Sequence, residues 1–413
     1  MPPRPRMNTV DKPVPAKRVT GKAVALAPSL AMSGVDKRKQ SAIIAARLNR
    51  DKRFGEGSVV IASDLKIPDR WTTGALAFDV AMSGGLAVNQ WSEVVGLENH
   101  GKTTFVLKAL AANQRRDPDF FCVWVASEAF DPKLADICGV DRTRVYLIEE
   151  NVMELAFEAV LAFLQDRGCD MVVIDSYPAM VTALEDSKGV DEISMGGAKI
   201  LNLFMRKATK AGKRSMTDLG DRPFTGVVVN QWRERIGVIR GDPRTTAGGK
   251  GKNYWMYARL DVKRTEYIVD KSKAKIGQAI TVVCFKMKGA RPGQIGVADF
   301  YFADHGEFKA GDYDDFKQTI NLALYFDVIG RSGNGYVGPE GQFIKSHALL
   351  TDTLKSDVAW RAEVELKVLA MALAGKSPVE TEDDESNVVP LHAVDEEEED
   401  VPSAKPVRRR KVV

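Results

Sequence analysis

The chain has 413 residues, 44 % of them hydrophobic and 28 % charged, with a formal net charge of +3. That balance is ordinary for a soluble globular protein with room for one large domain or two moderate ones, and net charge alone does not mark a nucleic-acid binder. No apolar run approaches the roughly 20 residues of a membrane span, and the start of the chain lacks the unbroken apolar stretch of a signal peptide, so a cytoplasmic protein with no membrane partner is expected.

Residues 1–35, rich in Pro, Lys, Arg and small residues, read as a disordered basic arm. In residues 36–54, Ile43, Ile44, Ala46, Leu48 and Phe54 lie among Lys and Arg, which suits a short amphipathic helix with a basic outer face. From 71 to 308 apolar runs alternate with helical stretches. Strands are predicted at 91–95, 120–126, 145–148, 171–174, 225–229, 258–262, 280–285 and 297–302. Several are continuous Val/Ile/Phe runs, as expected for strands covered on both faces of a parallel sheet. Helices at 103–114 and 153–165 supply crossovers between them. The fold class is therefore α/β, a doubly wound and mostly parallel sheet.

Residues 309–374 change character: helices are predicted at 316–329 and 357–374 around a glycine-rich turn region at 330–341, as a small C-terminal domain. The remainder, 375–413, reads as a disordered acidic tail ending in the basic tip Arg408–Lys411. Four scattered cysteines without a CxxC pair read as buried reduced thiols, and four histidines without ligand spacing argue against a zinc site.

The chemistry begins at the end of the first long strand. Gly96, Leu97, Glu98, Asn99, His100, Gly101, Lys102, Thr103 and Thr104 match G-x-x-x-x-G-K-[ST] in full, between a strand and a helix. Glycines let such a loop wrap round phosphates so that its N–H groups and the helix N-terminus face the negative charge. ATP is the expected ligand, with Lys102 reaching the β- and γ-phosphates and Thr103 ligating Mg²⁺. The run 171–174 ends in Asp175, where a nucleotide-binding domain holds its Mg²⁺ shell. Glu128, just beyond the strand 120–126, stands where a carboxylate could polarise the attacking water, although its spacing fits a solvated surface glutamate equally well.

Further motifs carry a resemblance. Asn230-Gln231-Trp232-Arg233-Glu234-Arg235-Ile236-Gly237-Val238, followed by Gly241-Asp242-Pro243 and Thr245-Thr246-Ala247-Gly248-Gly249, closely resembles the second DNA-binding loop of bacterial RecA recombinases. Tyr254, Arg259-Leu260-Asp261 and the upstream run Lys52–Ser58 are similar too, so that the resemblance covers residues 36–374. It implies a RecA-like ATPase core at 71–308, preceded at 36–70 by a helix and strand that contact the next subunit of a helical homo-oligomeric filament. Ser127-Glu128-Ala129-Phe130-Asp131-Pro132 resembles the segment of the catalytic glutamate with one residue missing, which puts Asp131 near the adenine.

The same resemblance implies that Gln231 senses the γ-phosphate, and that Lys286 and Lys288 cross to the neighbour's γ-phosphate in the part of an arginine finger. It implies two DNA loops. The first is 185–195, with Met195 and Gly196 followed by Lys199 and Arg206. The second is 232–249, with Trp232, Arg233, Arg235, Ile236, Gly237, Arg240, Arg244, Thr245, Thr246, Gly248 and Gly249. The expected partners are single-stranded and double-stranded DNA, with single-strand-binding or mediator proteins. The expected role is homologous pairing and strand exchange in recombination, repair of DNA damage and the SOS response.

Some positions depart from the pattern. Leu134 stands where the family has an aromatic ring over the adenine, and Asp304-His305 replace an aromatic-glycine pair near the base. Asn99 and His100 replace small residues, and 207–222 is longer and more basic. Two other readings share the core: a motor or helicase ATPase, and a DNA-coating filament that uses ATP as a structural clamp.

Overall fold

A computed structural model describes residues 34–54, 57–64, 70–188, 196–215, 223–234, 243–289 and 291–375. Residues 1–33 of the expected arm, 376–413 of the tail, and the loop residues Met195, Arg235, Ile236, Gly237 and Arg240 lie outside the described residues. The chain divides into two units, Met1–Val60 and Ile61–Val413. The first contains α1 (Gly34–Arg50), on which Ile43 and Ile44 are exposed. It stops short of the expected residue 54 because Asp51 opens a turn, its carboxylate taking the Arg53 amide at 3.0 Å.

The second unit opens with β1 (Arg70–Trp71), α2 (Leu76–Ala81) and β2 (Leu86–Ala87). Strands and helices then alternate: β3 (Trp91–Gly96), α3 (Lys102–Arg116), β4 (Cys122–Ala126), α4 (Pro132–Ile137), β5 (Val145–Ile148), α5 (Met153–Gln165) and β6 (Met171–Asp175). Next come α6 (Ala183–Asp186), α7 (Gly197–Ser215), β7 (Thr225–Glu234), β8 (Arg244–Thr246) and α8 (Gly249–Trp255). A meander follows, of β9 (Met256–Val269), β10 (Lys275–Met287) and β11 (Gln294–Tyr301). The C-terminal part has α9 (Asp315–Tyr325), β12 (Gly330–Ser332), β13 (Gly335–Val337), β14 (Phe343–Ile344), α10 (His347–Ser356) and α11 (Val358–Leu373).

The main sheet runs β11-β10-β9-β3-β7-β6-β4-β5, with β8 paired to β7. It is parallel from β9 to β5 and antiparallel from β9 to β11. Each predicted strand of the core is a strand of this path, and the fold is the expected doubly wound α/β sheet. Both faces are covered. Val94, Trp124, Val173, Val227 and Leu260 pack with Phe105, Leu107 and Leu110 of α3. On the opposite face Trp91, Val125, Ile174 and Val228 pack with Phe157 of α5 and Phe204 of α7. Burial on both sides explains why β4, β6 and the first half of β7 read as unbroken apolar runs rather than alternations. Among the described residues no helix is long and apolar enough to cross a membrane.

Three expectations need correction. β9 and β10 run well past 258–262 and 280–285, because their far ends carry Lys263, Arg264 and Glu266 opposite Thr281, Ile280 and Ala279 in a partly solvated ladder. An apolar-run criterion misses such polar strand ends. The region 330–341 is not only turns: β12, β13 and β14 form a three-stranded antiparallel sheet, followed by the unpredicted α10, which the Ser346 hydroxyl caps at the Leu349 amide. Finally, α9 ends at Tyr325, since Asp327 turns left-handed (φ 54°) and the amides of Val328 and Ile329 return to the Ala323 carbonyl at 2.8 and 3.0 Å. A third apolar cluster, with Ile320, Leu350, Leu354, Val364 and Val368, joins α9, α10 and α11 to Val80 of α2.

Candidate nucleotide site and DNA hairpin

In an open α/β sheet, ligands bind outside the carboxyl ends of the strands, where the strand order reverses. Here β3 lies between β7 and β9, and the loop 97–101 leaves its carboxyl end to open α3. The loop needs its special residues. Gly101 is left-handed (φ 87°), and a Cβ there would stand 3.0 Å from Ile280 Cδ1. A Cβ on Gly96 would come within 2.3 Å of the Val262 carbonyl, so the strand's last residue can only be glycine. Asn99, a residue type that tolerates the left-handed region, has φ 58°.

The loop borders a cleft of about 440 Å³. Glu98, Asn99, Gly101, Lys102, Thr103 and Thr104 line one side; Glu128, Leu134, Asp175, Ser176, Val229, Gln231 and Gln278 complete it. Four strand ends meet here because β3, β7, β6 and β4 are parallel neighbours. The Thr103 hydroxyl donates to Asp175 Oδ2 at 3.1 Å. The Ser176 hydroxyl donates to Glu128 Oε1, and the Glu128 amide donates to the Asp175 carbonyl at 3.1 Å, which ties the end of β4 to that of β6. Gln231 sits opposite Gly96 in the β3–β7 register. The Lys102 ammonium donates to the Leu97 carbonyl at 2.6 Å.

The electrostatics are lopsided. Glu98, Glu128 and Asp175 share the lining of the cleft with Lys102. Burial pushes the Asp175 carboxyl up to about 6; the Thr103 hydrogen bond and the Lys102 charge pull it down, and Glu128 pushes it further up. Burial also lowers the Lys102 ammonium, against the pull of Asp175, Glu128 and Glu98. Carboxylates in this excess repel a triphosphate unless a cation comes with it. A divalent ion held by the Thr103 hydroxyl and Asp175, with water and phosphate oxygens, suits this donor set. Among the described residues no group of three or more His, Cys, Asp or Glu side chains forms a metal cage. His100 is held below its usual range by burial and then by Arg264 and Lys102, while its Nδ1 is buried with no hydrogen-bond partner.

Other expected residues lie elsewhere. Asp131 is exposed and caps α4, accepting from the amides of Lys133 and Leu134 at 2.9 and 3.1 Å; the lining of the cleft does not include it. Leu134 does line the cleft, so its wall is aliphatic there. Asp304 holds the loop ahead of Ala310, taking that amide at 3.0 Å. Lys286 donates to the carbonyls of Asn253 and Met256, and Lys288 donates to the Tyr254 carbonyl at 2.9 Å, so both ammonium groups rest on the last turn of α8.

The second loop begins as a hairpin. Trp232, Arg233 and Glu234 of β7 pair with Thr246, Thr245 and Arg244 of β8. Trp232 is fixed at its base: its indole N–H donates to Asp261 Oδ1 at 2.8 Å, Arg244 lies over its ring at 5.1 Å, and Phe285 packs at 5.7 Å. This favours a packed aromatic over a base-stacking one. Gly248 starts α8 in the left-handed region (φ 93°), and Gly249 follows at φ 70°. Gly196 precedes α7, along which Lys199 and Arg206 are exposed.

Sequence reasoning missed Gln278, Ser176, Asn230, Glu93 and Lys252. For Glu93 and Gln278 a signal exists: each is a polar residue inside an apolar strand buried on both faces, which demands a partner.

The family model described as the RecA N-terminal domain matches residues 41–306, well over half of the chain. The chain is also similar to Protein RecA of Trichodesmium erythraeum (strain IMS101), at 30 % identity over 338 residues, which covers 81 % of this chain and 89 % of that protein.

Proposed function

This chain belongs to the RecA family and has that family's recombinase function, and from this premise we propose a DNA-dependent ATPase that forms a helical filament on single-stranded DNA and drives pairing and strand exchange. ATP is the substrate in the cleft. Lys102 binds its β- and γ-phosphates. Thr103 and Asp175 hold Mg²⁺, which offsets the charge of the phosphates against Glu98, Glu128 and Asp175. Glu128, oriented by the Ser176 hydroxyl, takes the proton of the attacking water. Lys286 and Lys288 serve the site of a neighbouring subunit, so hydrolysis depends on assembly, and α1 makes a contact along the filament. Gly196, Lys199 and Arg206 contact the DNA backbone with the hairpin residues Arg233, Arg244, Thr245 and Thr246, in the cytoplasm.

The observation that supports this reading is the course of β7. Gln231 lines the cleft, and the very next residue, Trp232, pairs into the hairpin. A side chain that contacts the γ-phosphate therefore lies one peptide from the DNA loop, and the γ-phosphate can act as the differential contact between two DNA affinities. The test is phosphate release from MgATP with and without single-stranded DNA. Stimulation by at least about tenfold, the scale of an ordinary coupling between two sites, is expected. It should vanish in Lys102→Ala. Equal turnover with and without DNA would overturn the proposal.

A further inference from the structure

Beneath the hairpin lies an ion cluster that the chemistry above does not use. The side chains of Glu93 and Lys252 are both wholly inaccessible to solvent, and Lys252 Nζ lies 2.5 Å from Glu93 Oε1. Arg259 Nε holds the other oxygen at 2.6 Å, and Asn230 Nδ2 donates to Oε1 at 2.8 Å. Lys252 also donates to the Thr246 hydroxyl at 2.6 Å, and Arg259 donates to the same oxygen at 3.2 Å. Asn230 Nδ2 reaches the Ala247 carbonyl at 3.1 Å, and Asn230 Oδ1 takes the Gln231 amide at 2.9 Å.

The cluster thus gathers the strand that carries the phosphate loop, the residue before Gln231, the second arm of the hairpin, α8 and β9. Two cations share one carboxylate. A buried ion pair is at best near neutral for stability against an apolar replacement, so stability alone does not account for a second buried cation. A registry role is the better-attested use of such groups.

We propose that Lys252 is a positioning residue that couples the DNA hairpin to the nucleotide cleft: by gripping Glu93 and Thr246 at once, it makes the second arm of the hairpin and the strand end at Gln231 shift together. The inference rests on the reading of cleft and hairpin given above. A rigid link of this kind transmits a two-state change because its donors are fully committed and leave no slack for the arm to move alone.

The test uses the full chain with Lys252→Met, which keeps the stem and removes the ammonium. Glu93 then faces Arg259 one to one, so the variant is expected to fold. ATP affinity and DNA-free turnover should stay within about twofold, while stimulation by single-stranded DNA falls by about tenfold, the loss of a typical coupling. Undiminished stimulation overturns the proposal. A parallel fall of DNA-free and stimulated turnover also overturns it, because that is the signature of a merely structural lysine. Should the methionine variant be insoluble, Lys252→Gln, which keeps an N–H donor, is decided by the same two ratios. A wild-type protein that DNA does not stimulate removes the underlying reading and this coupling with it, whereas a stimulated wild type with an equally stimulated variant removes the coupling alone.

Discussion

Replacing Glu128 with glutamine is expected to lower the turnover number for ATP by about 10²–10⁴-fold, the contribution of a positioned general base. The substitution keeps the shape of the side chain and an oxygen that accepts from the Ser176 hydroxyl, so the end of β4 stays tied to that of β6. The ability to take a proton is lost, and with it one negative charge of the cleft. In the proposed site nucleotide is bound by Lys102, Thr103 and the loop amides, none of which touches Glu128 through a hydrogen bond among the described residues, and one carboxylate fewer repels the triphosphate, so ATP affinity should hold or tighten. Single-turnover hydrolysis beside an equilibrium binding titration separates the two quantities. A turnover number within about threefold of the wild type would mean that Glu128 is the solvated glutamate its exposure also permits, and that another group activates the water.

The second large effect is on stability. Glu93→Ala is expected to destabilise the second unit by about 3–5 kcal/mol, the range for removing one partner of a buried ion pair. Its removal strands Lys252, which has no solvent access, and Arg259, which has little. Asn230 also loses one of its two acceptors, keeping the Ala247 carbonyl. Burial already lowers the Lys252 ammonium from its usual range, with Glu93 opposing that shift, so a lysine without Glu93 is driven towards its neutral form. The asymmetry with Lys252→Met is the point: removing a cation leaves a balanced pair, and removing the anion leaves two unbalanced cations. Urea unfolding of both variants checks it. A loss below about 1 kcal/mol for Glu93→Ala, the scale of a solvent-exposed pair, would show that water reaches the cluster.

The order of the elements and the phosphate loop were legible because each is encoded locally. Continuous apolar runs marked β4, β6 and β7, and α5 spans the residues its periodicity indicated. Motif and strand ends together brought Lys102, Thr103, Glu128, Asp175 and Gln231 to one cleft. What stayed hidden depends on distant pairing. Gln278 enters the cleft only because the meander lays β10 beside β9, far along the chain from the loop it faces. Lys252 stands in a glycine- and lysine-rich stretch that reads as a solvated basic segment; it is buried because α8 tucks beneath the hairpin and presents it to Glu93. The short strands β12 to β14 carry too few residues for a period-two pattern to show.

In the proposed function the nucleotide state sets DNA affinity through Gln231. The most direct test is the binding of a labelled single-stranded oligonucleotide in MgADP and in a non-hydrolysable MgATP analogue, for the wild type and for Gln231→Ala. The account predicts binding at least about tenfold tighter with the analogue, a coupling of roughly 1.4 kcal/mol or more, and a difference that collapses in the variant. Equal affinity in the two nucleotide states, or a difference that survives in Gln231→Ala, would contradict it.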